Sequence, residues 1–344
     1  MTERLYVGTY TGGKSKGIYL CENGQMKLAA ECENPSYLIF NEKGTKAYAV
    51  NEQKEFQGEY GGGVTAFDVS GDGMLRKVSS VRAYGTDPCH LCLSVDERVL
   101  FIANYSDGSI CRYELDGEGN FTNTCEITRH EGHGVKMDRQ ERAHVHFVTL
   151  CPWSKEKLWV VDLGVDTIFI YGTKEGQLQK PLQTYHFPAG YGPRHIVFHP
   201  QLHYAYVVQE LENRVITLTV SEDGYPQEIV GDQLTLPKDW KGLNTAAAIK
   251  CSNDGKKLYI SNRGHDSVVV FEIRENGKLE EPAFYQTLGK NPRDILIKES
   301  ENMILCANQD GGGITAILFD SKGKVLKTCR YLVCENPVNL IAID

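Results

Sequence analysis

The chain of 344 residues lacks several features that would settle its role at once. It has no basic excess: 37 Lys and Arg stand against 45 Asp and Glu, for a formal net charge of −8. A phosphate backbone needs a basic footprint, so nucleic acid is not an expected partner. An anion, if bound, must be held by a few local arginines and not by the field of the whole molecule. No apolar run approaches the length of a bilayer crossing, so no membrane partner is expected. "MTERLYVGTYTGG" enters an alternating pattern without the basic and apolar regions of a signal peptide, which makes the cytoplasm the expected location. No segment sustains a helical period. The eleven cysteines are odd in number and lie mostly in apolar runs such as "FVTLC" and "MILCAN", as reduced, buried thiols would. "CHLC", Cys89 to Cys92, has C-x-x-C spacing without the second pair of a zinc site. On a strand its two sulfurs would point to opposite faces.

What the chain does have is repetition. A short apolar run, a turn, a second run ending in a polar pair and a third run recur six times. Examples are "YLIFNEKGTKAYAVNE…GGGVTAFDV", "HLCLSVDERVLFIANYSDGSICRYEL" and "HIVFHPQLHYAYVVQELENRVITLTV". The ends complement each other: "ENPVNLIAID" reads as the first strand of a copy, and "RLYVGTYTGGKSKGIYL" as its second and third. The runs are rich in Val, Ile, Tyr and Phe and bounded by Gly, Asn, Asp or Pro, as strands are. A repeat of roughly 45 to 55 residues with about four strands is a propeller blade. The expected fold is therefore all-β: one seven-bladed β-propeller domain over residues 1–344, its ring closed by N- and C-terminal strands in one blade.

Aligning the copies places Ser36, His90, His146, Arg194, Ala246, Arg293 and Val338 at equivalent positions just before each first strand. Inner strands line a propeller's channel, so these side chains should meet near one mouth. A second ring follows the next strand: Tyr10, Glu52, Tyr105, Leu163, Glu210, Arg263 and Gln309. Beside it run Thr9, Asn51, Asn104, Asp162, Gln209, Asn262 and Asn308, suited to satisfying backbone groups around the channel. Ionisable groups converging on a concave mouth mark a site. His146, Arg194, Glu210 and Arg263 are the catalytic candidates; His90, His144, Asp162, Asn104 and Arg293 are candidates for substrate contact. His144 is read on the same strand face as His146, one step outward. Asp162 and Asn104 serve equally well as caps at strand ends. His195, His199 and His203 fall at alternate or loop positions and are read as chemically idle.

The segments "YVGTYT…SKGIY", "NPSYLIFN", "DPCHLCLS", "RAHVHFV", "GPRHIVFHP", "ISNRGHDSV" and "NPRDILI" together resemble the seven-bladed propeller lactonase family over essentially the whole chain. That family includes propeller-type 6-phosphogluconolactonases and fungal carboxymuconate cyclases. The resemblance implies a site of one histidine, two arginines and one glutamate, falling on His146 (with His144 as the alternative), Arg194, Arg263 and Glu210. It implies a small anionic lactone or sugar acid as partner. A hydrolase and a ring-forming isomerase share this constellation, so the substrate stays open. For hydrolysis, Glu210 or His146 removes the proton of water while the other protonates the leaving oxygen, and the arginines steady the oxyanion or bind the acid group. No cofactor is expected: a catalytic zinc needs about three protein ligands, and His144 and His146 supply two. "HEGHG" at 130–134 is not the H-E-x-x-H zinc motif. A propeller that binds a partner and catalyses nothing is the reading from a different class.

Overall fold

The computed structural model describes residues 3–174 and 176–343. Among them seven four-stranded antiparallel sheets form a ring, joined by one small hairpin of Glu55–Phe56 with Glu59–Tyr60. The inner strands are Leu38–Phe40, Pro88–Leu93, Val145–Cys151, Pro193–Phe198, Thr245–Cys251, Lys290–Lys298 and Pro337–Ile343. We number the blades 1 to 7 in that order. Each inner strand touches the next, and the seventh touches the first. Blade 7 is the seam: Pro337–Ile343 pairs with Arg4–Thr9, Val7 lying opposite Leu340. The seven-bladed ring and its closure by strands from both ends of the chain are as the repeat implied.

The core is divided as the ring is. There are seven buried apolar clusters, one at each interface between neighbouring blades. The blade 3–4 cluster, for example, joins Trp159, Val161 and Ile170 to Ala205, Val207 and Ile216. Each large side chain buried there is worth about 1.5–3 kcal/mol, and blade faces present such residues because strand alternation repeats in every copy. A polar device recurs beside it. Tyr6, Tyr48, Trp159 and Tyr206 each donate from the ring hydroxyl or indole N–H to a glycine carbonyl in the outer turn of the next blade, at 2.6–3.0 Å. The acceptors Gly73, Gly119, Gly224 and Gly277 have φ between 73 and 78°, where glycine alone is unstrained.

The feature that shapes the channel lies at the start of the inner strands. Asn34, Asp87, Gly192, Asn291 and Asn336 adopt positive φ, and each is followed by proline. Asn, Asp and Gly tolerate that conformation, and proline at a strand's start needs no ladder donor. The next residue has no cross-strand partner. In blade 4, for instance, Pro193 pairs with Gln209 and His195 with Val208, leaving Arg194 as a bulge. The same skip leaves Cys89, His146, Arg293 and Val338 unpaired. Bulges re-aim side chains, here inward. The register therefore corrects the sequence alignment at two places. Cys89, not His90, is the counterpart of His146, and in blade 5 the skip begins after Ala246. These residues also lie within the strands, not before them.

Three inner strands are tied at the seam by one side chain. Asn339 donates from Nδ2 to Asp294 Oδ2 at 3.0 Å, and its Oδ1 accepts the Leu38 N–H at 3.2 Å. All three groups are buried. Asn339→Ala leaves a buried donor and a buried carboxylate each short of a partner, which costs about 2–3 kcal/mol. Urea unfolding should show a loss of that size; a change below about 0.5 kcal/mol would mean the seam does not depend on this bridge.

Candidate active site

The polar ring at the ends of the second strands is buried throughout, Asn104, Asp162, Gln209, Asn262 and Asn308 being 0% exposed. The residue after Gln209 is Glu210, 2% exposed, and it gathers the arginines. Arg194 Nε and Arg263 Nη2 each stand 2.9 Å from its Oε2. A third guanidinium, Arg139, donates from Nη2 to Oε1 at 2.5 Å and to the Tyr105 hydroxyl at 3.3 Å. Burial alone would raise the Glu210 carboxyl, but Arg263, Arg194 and Arg139 override it and hold the group well below the usual carboxylate range. Three guanidiniums on one carboxylate leave an excess of two positive charges. Arg194 Nε and Arg263 Nη2 approach Glu210 closely but without hydrogen-bond alignment, and Arg263 Nε is also buried without an acceptor. Buried donors of this kind are an anion site in waiting.

His146 projects into a cavity of about 160 Å³ that Arg194, Arg293, Ser36, Cys89 and His195 also line. Its Nδ1 lies 3.9 Å from Cys89 Sγ, and Tyr105 meets the ring edge-on with centroids 5.3 Å apart. Burial first, then the Arg194 guanidinium, holds this imidazole well below its ordinary value, so it is neutral. Burial and the Glu52 charge push the Cys89 thiol up, so no thiolate stands beside it. Across the cavity, Arg293 lies over the Tyr10 ring at 5.2 Å and 3.8 Å from Glu52 Oε2. Glu52 is held in turn by the hydroxyls of Tyr10, at 2.7 Å, and Ser36.

The structure thus brings together His146, Arg194, Glu210 and Arg263, with Arg293 on the facing wall. The other candidates have protein partners of their own. His144 precedes the inner strand, which begins at Val145, and its ring stacks on Tyr105 with centroids 4.5 Å apart. Its Nδ1 pairs with the Tyr105 carbonyl at 2.9 Å and its Nε2 with Glu141 at 3.1 Å. Asp162 accepts the N–H groups of His144 and Gly164 and pairs with His130 Nδ1 at 2.7 Å. Asn104 donates to the Ala83 carbonyl and Ser109. His90 sits one residue deeper than the bulge, packed between Tyr37 and Phe147 with centroids 4.0 and 3.8 Å away. His195 was read as idle, yet it lines the cavity 5.2 Å from the His146 ring, because the bulge at Arg194 shifts which residues face inward. His199 is used in a turn, accepting the Gln201 and Leu202 N–H groups. All eleven cysteines are free, and no three His, Cys, Asp or Glu side chains converge as a metal group among the described residues. Arg139 was missed altogether. It sits on an inter-blade connection outside the repeat, and its only sequence signal is that connection's length.

Comparison with known proteins bears on the family and the fold. A family model described as lactonase, 7-bladed beta-propeller, matches residues 4–342. A Bacillus subtilis protein named 6-phosphogluconolactonase is 32% identical over 324 residues, covering 92% of this chain and 90% of its own. The structure of a Pseudomonas aeruginosa periplasmic gluconolactonase superposes with a TM-score of 0.89 at 29% identity, covering 100% of this chain and 99% of that one. A Lactobacillus plantarum protein gives the same TM-score and identity over 100% of both chains. Among the described residues no helix is long and apolar enough to cross a membrane. The family model over residues 4–342 and these relatives show that the chain belongs to the lactonase family of seven-bladed β-propellers.

Proposed function

We propose that the protein hydrolyses an anionic sugar lactone, of the 6-phosphogluconolactone type, to its acid. The observation that carries this reading is a neutral imidazole sharing one cavity with Arg194, whose buried Nε lacks an aligned acceptor and which Glu210 joins to Arg263. A cationic excess in an otherwise acidic chain favours a substrate with an acid group, and the names of the Bacillus and Pseudomonas relatives point to sugar lactones. The free cysteines suit a reducing cytoplasm, although the Pseudomonas neighbour is periplasmic.

In this reading His146 is the base, and Glu210 is not. A carboxylate held ionised by three guanidiniums has no proton to give and little appetite for one; its work is to hold Arg194 and Arg263 in place. Water adds through its oxygen to the lactone carbonyl carbon as His146 takes its proton. The negative charge formed on the carbonyl oxygen is met by N–H groups of Arg194 and Arg263. Collapse breaks the ring C–O bond, and the imidazolium returns the proton to the departing alkoxide, giving the hydroxy acid. Arg293 faces the rest of the substrate. Nothing in the steps requires a cofactor.

His146→Ala is expected to lower kcat by about 10²–10⁴, the usual worth of a placed base. Arg263→Met should lower kcat/KM by about 10²–10³, as loss of an oxyanion donor does. Both are measured on 6-phosphogluconolactone against its spontaneous hydrolysis, and full turnover by either variant removes the mechanism. Failure of the wild-type protein to hydrolyse 6-phosphogluconolactone, gluconolactone or a muconolactone would instead favour a binding scaffold.

The pH profile is a separate check. The folded His146 is lowered, so the neutral base persists as pH falls through 6.5 and is lost only below it. The acid limb of kcat/KM should therefore lie below pH 6.5. A limb at or above that value would contradict a neutral, buried base.

A further inference from the structure

Residues 130–144 form the longest connection between blades, running from Phe121–Arg129 to Val145–Cys151 without regular structure. Long ordered loops of this kind are commonly functional. This one is pinned as a strap across the mouth. Lys136 Nζ bonds the Leu211 carbonyl at 3.0 Å and Glu212 at 2.5 Å, on the blade 4 loop that carries Glu210. Gln140 Nε2 donates at 2.9 Å to both the Leu163 carbonyl and Asp166 of blade 3. Between these anchors the strap delivers Arg139.

Resting on the hydrolase reading above, we infer that Arg139 is the specificity-determining residue of the site, gripping the phosphate of the substrate through the outer face of its guanidinium. Of the three guanidiniums on Glu210 it is the most exposed: its side chain is 36% exposed, against 2% for Arg194 and 14% for Arg263. A ligand entering from the mouth meets it first. Glu210 keeps two further counter-charges on the blades, Arg194 and Arg263, each 2.9 Å from its Oε2, when Arg139 turns the rest of its fork to a ligand. A dianion arriving there reduces the cationic excess, whereas it would have to strip Arg194 or Arg263 from the carbonyl end. Only Nη2 is committed, to Glu210 and to the neutral Tyr105 hydroxyl. The remaining N–H donors of the planar fork are left for a phosphate, which a guanidinium binds bidentately. Because the strap is anchored on both sides, no loop need be ordered when the ligand arrives. Catalysis stays on the blades and recognition of the phosphate on the strap, so the two are separable by substitution.

The test uses the full-length protein and calorimetric affinities for 6-phosphogluconate and gluconate, products that differ only by the phosphate. Arg139→Met should weaken 6-phosphogluconate tenfold or more and gluconate less than threefold. Arg139→Lys, which keeps the charge but not the fork, should fall between wild type and Arg139→Met. Should Arg139→Met fail to fold, the lysine variant carries the test alone through a threefold or greater loss confined to 6-phosphogluconate. An unchanged 6-phosphogluconate affinity, or an equal loss for gluconate, overturns the proposal. So does a phosphate-specific loss in Arg293→Met that Arg139→Met lacks. The two readings fail differently. Equal wild-type affinity for both acids, with lactone hydrolysis intact, sinks only the phosphate grip. A phosphate-specific loss in a protein that turns over no lactone sinks only the hydrolase.

Discussion

One residue in each of most inner strands has no partner across the ladder, and the chemistry of the channel depends on that. A regular strand would send its residues alternately left and right into the inter-blade cores. The positive-φ residue, the proline after it and the bulge that follows instead turn one side chain inward at the same height in blade after blade. The closed ring makes this inward position valuable. Side chains from blades far apart in sequence share one mouth, and each blade supplies a residue without altering its own packing. The interface clusters hold the frame while the bulges differ from Ser36 to Arg293.

Charge decides what such a mouth tolerates. Two unit charges about 4 Å apart repel by about 4 kcal/mol at an effective dielectric of 20, so buried arginines cannot gather unaided. Glu210 is what allows it. It is the common counter-charge of Arg139, Arg194 and Arg263, and its deeply depressed carboxyl is the same interaction seen from the other side. The facing wall repeats the idea more weakly. There Glu52, fixed by the Tyr10 and Ser36 hydroxyls, stands beside Arg293. A carboxylate spent on holding cations is poorly placed to move protons, which narrows the choice between Glu210 and His146 that the sequence left open.

Much of this was legible in the chain. Internal repetition carried the blade number, and the complementary ends carried the seam, because every blade must present the same strand pattern to its neighbours. His146, Arg194 and Arg293 stood out as ionisable residues at a repeat position that elsewhere holds Ser, Ala or Val, and Glu210 and Arg263 at one that elsewhere holds Tyr, Leu or Gln. The misses share a cause. A bulge leaves the spacing of residues unchanged while shifting their facing, so spacing alone makes His90 the counterpart of His146 and leaves His195 idle. The prolines held the correction: aligned on Pro35, Pro88, Pro193, Pro292 and Pro337, the inward residue of blade 2 is Cys89. Arg139 had no such signal. It belongs to one connection, and no repeat position predicts what a connection reaches.

The depressed basicity of His146 looks at first like a defect in a base. It follows from burial and from Arg194, the guanidinium that the proposed mechanism sets against the developing oxyanion. The same coupling works in reverse. An anion bound against the arginines offsets part of their repulsion of a proton on the imidazole, and so raises the basicity of His146 only when substrate is in place. A neutral lactone brings no such charge. On the proposed mechanism the site would discriminate by substrate charge twice, once in binding and again in the readiness of its base, while burial and Arg194 keep the resting imidazole neutral.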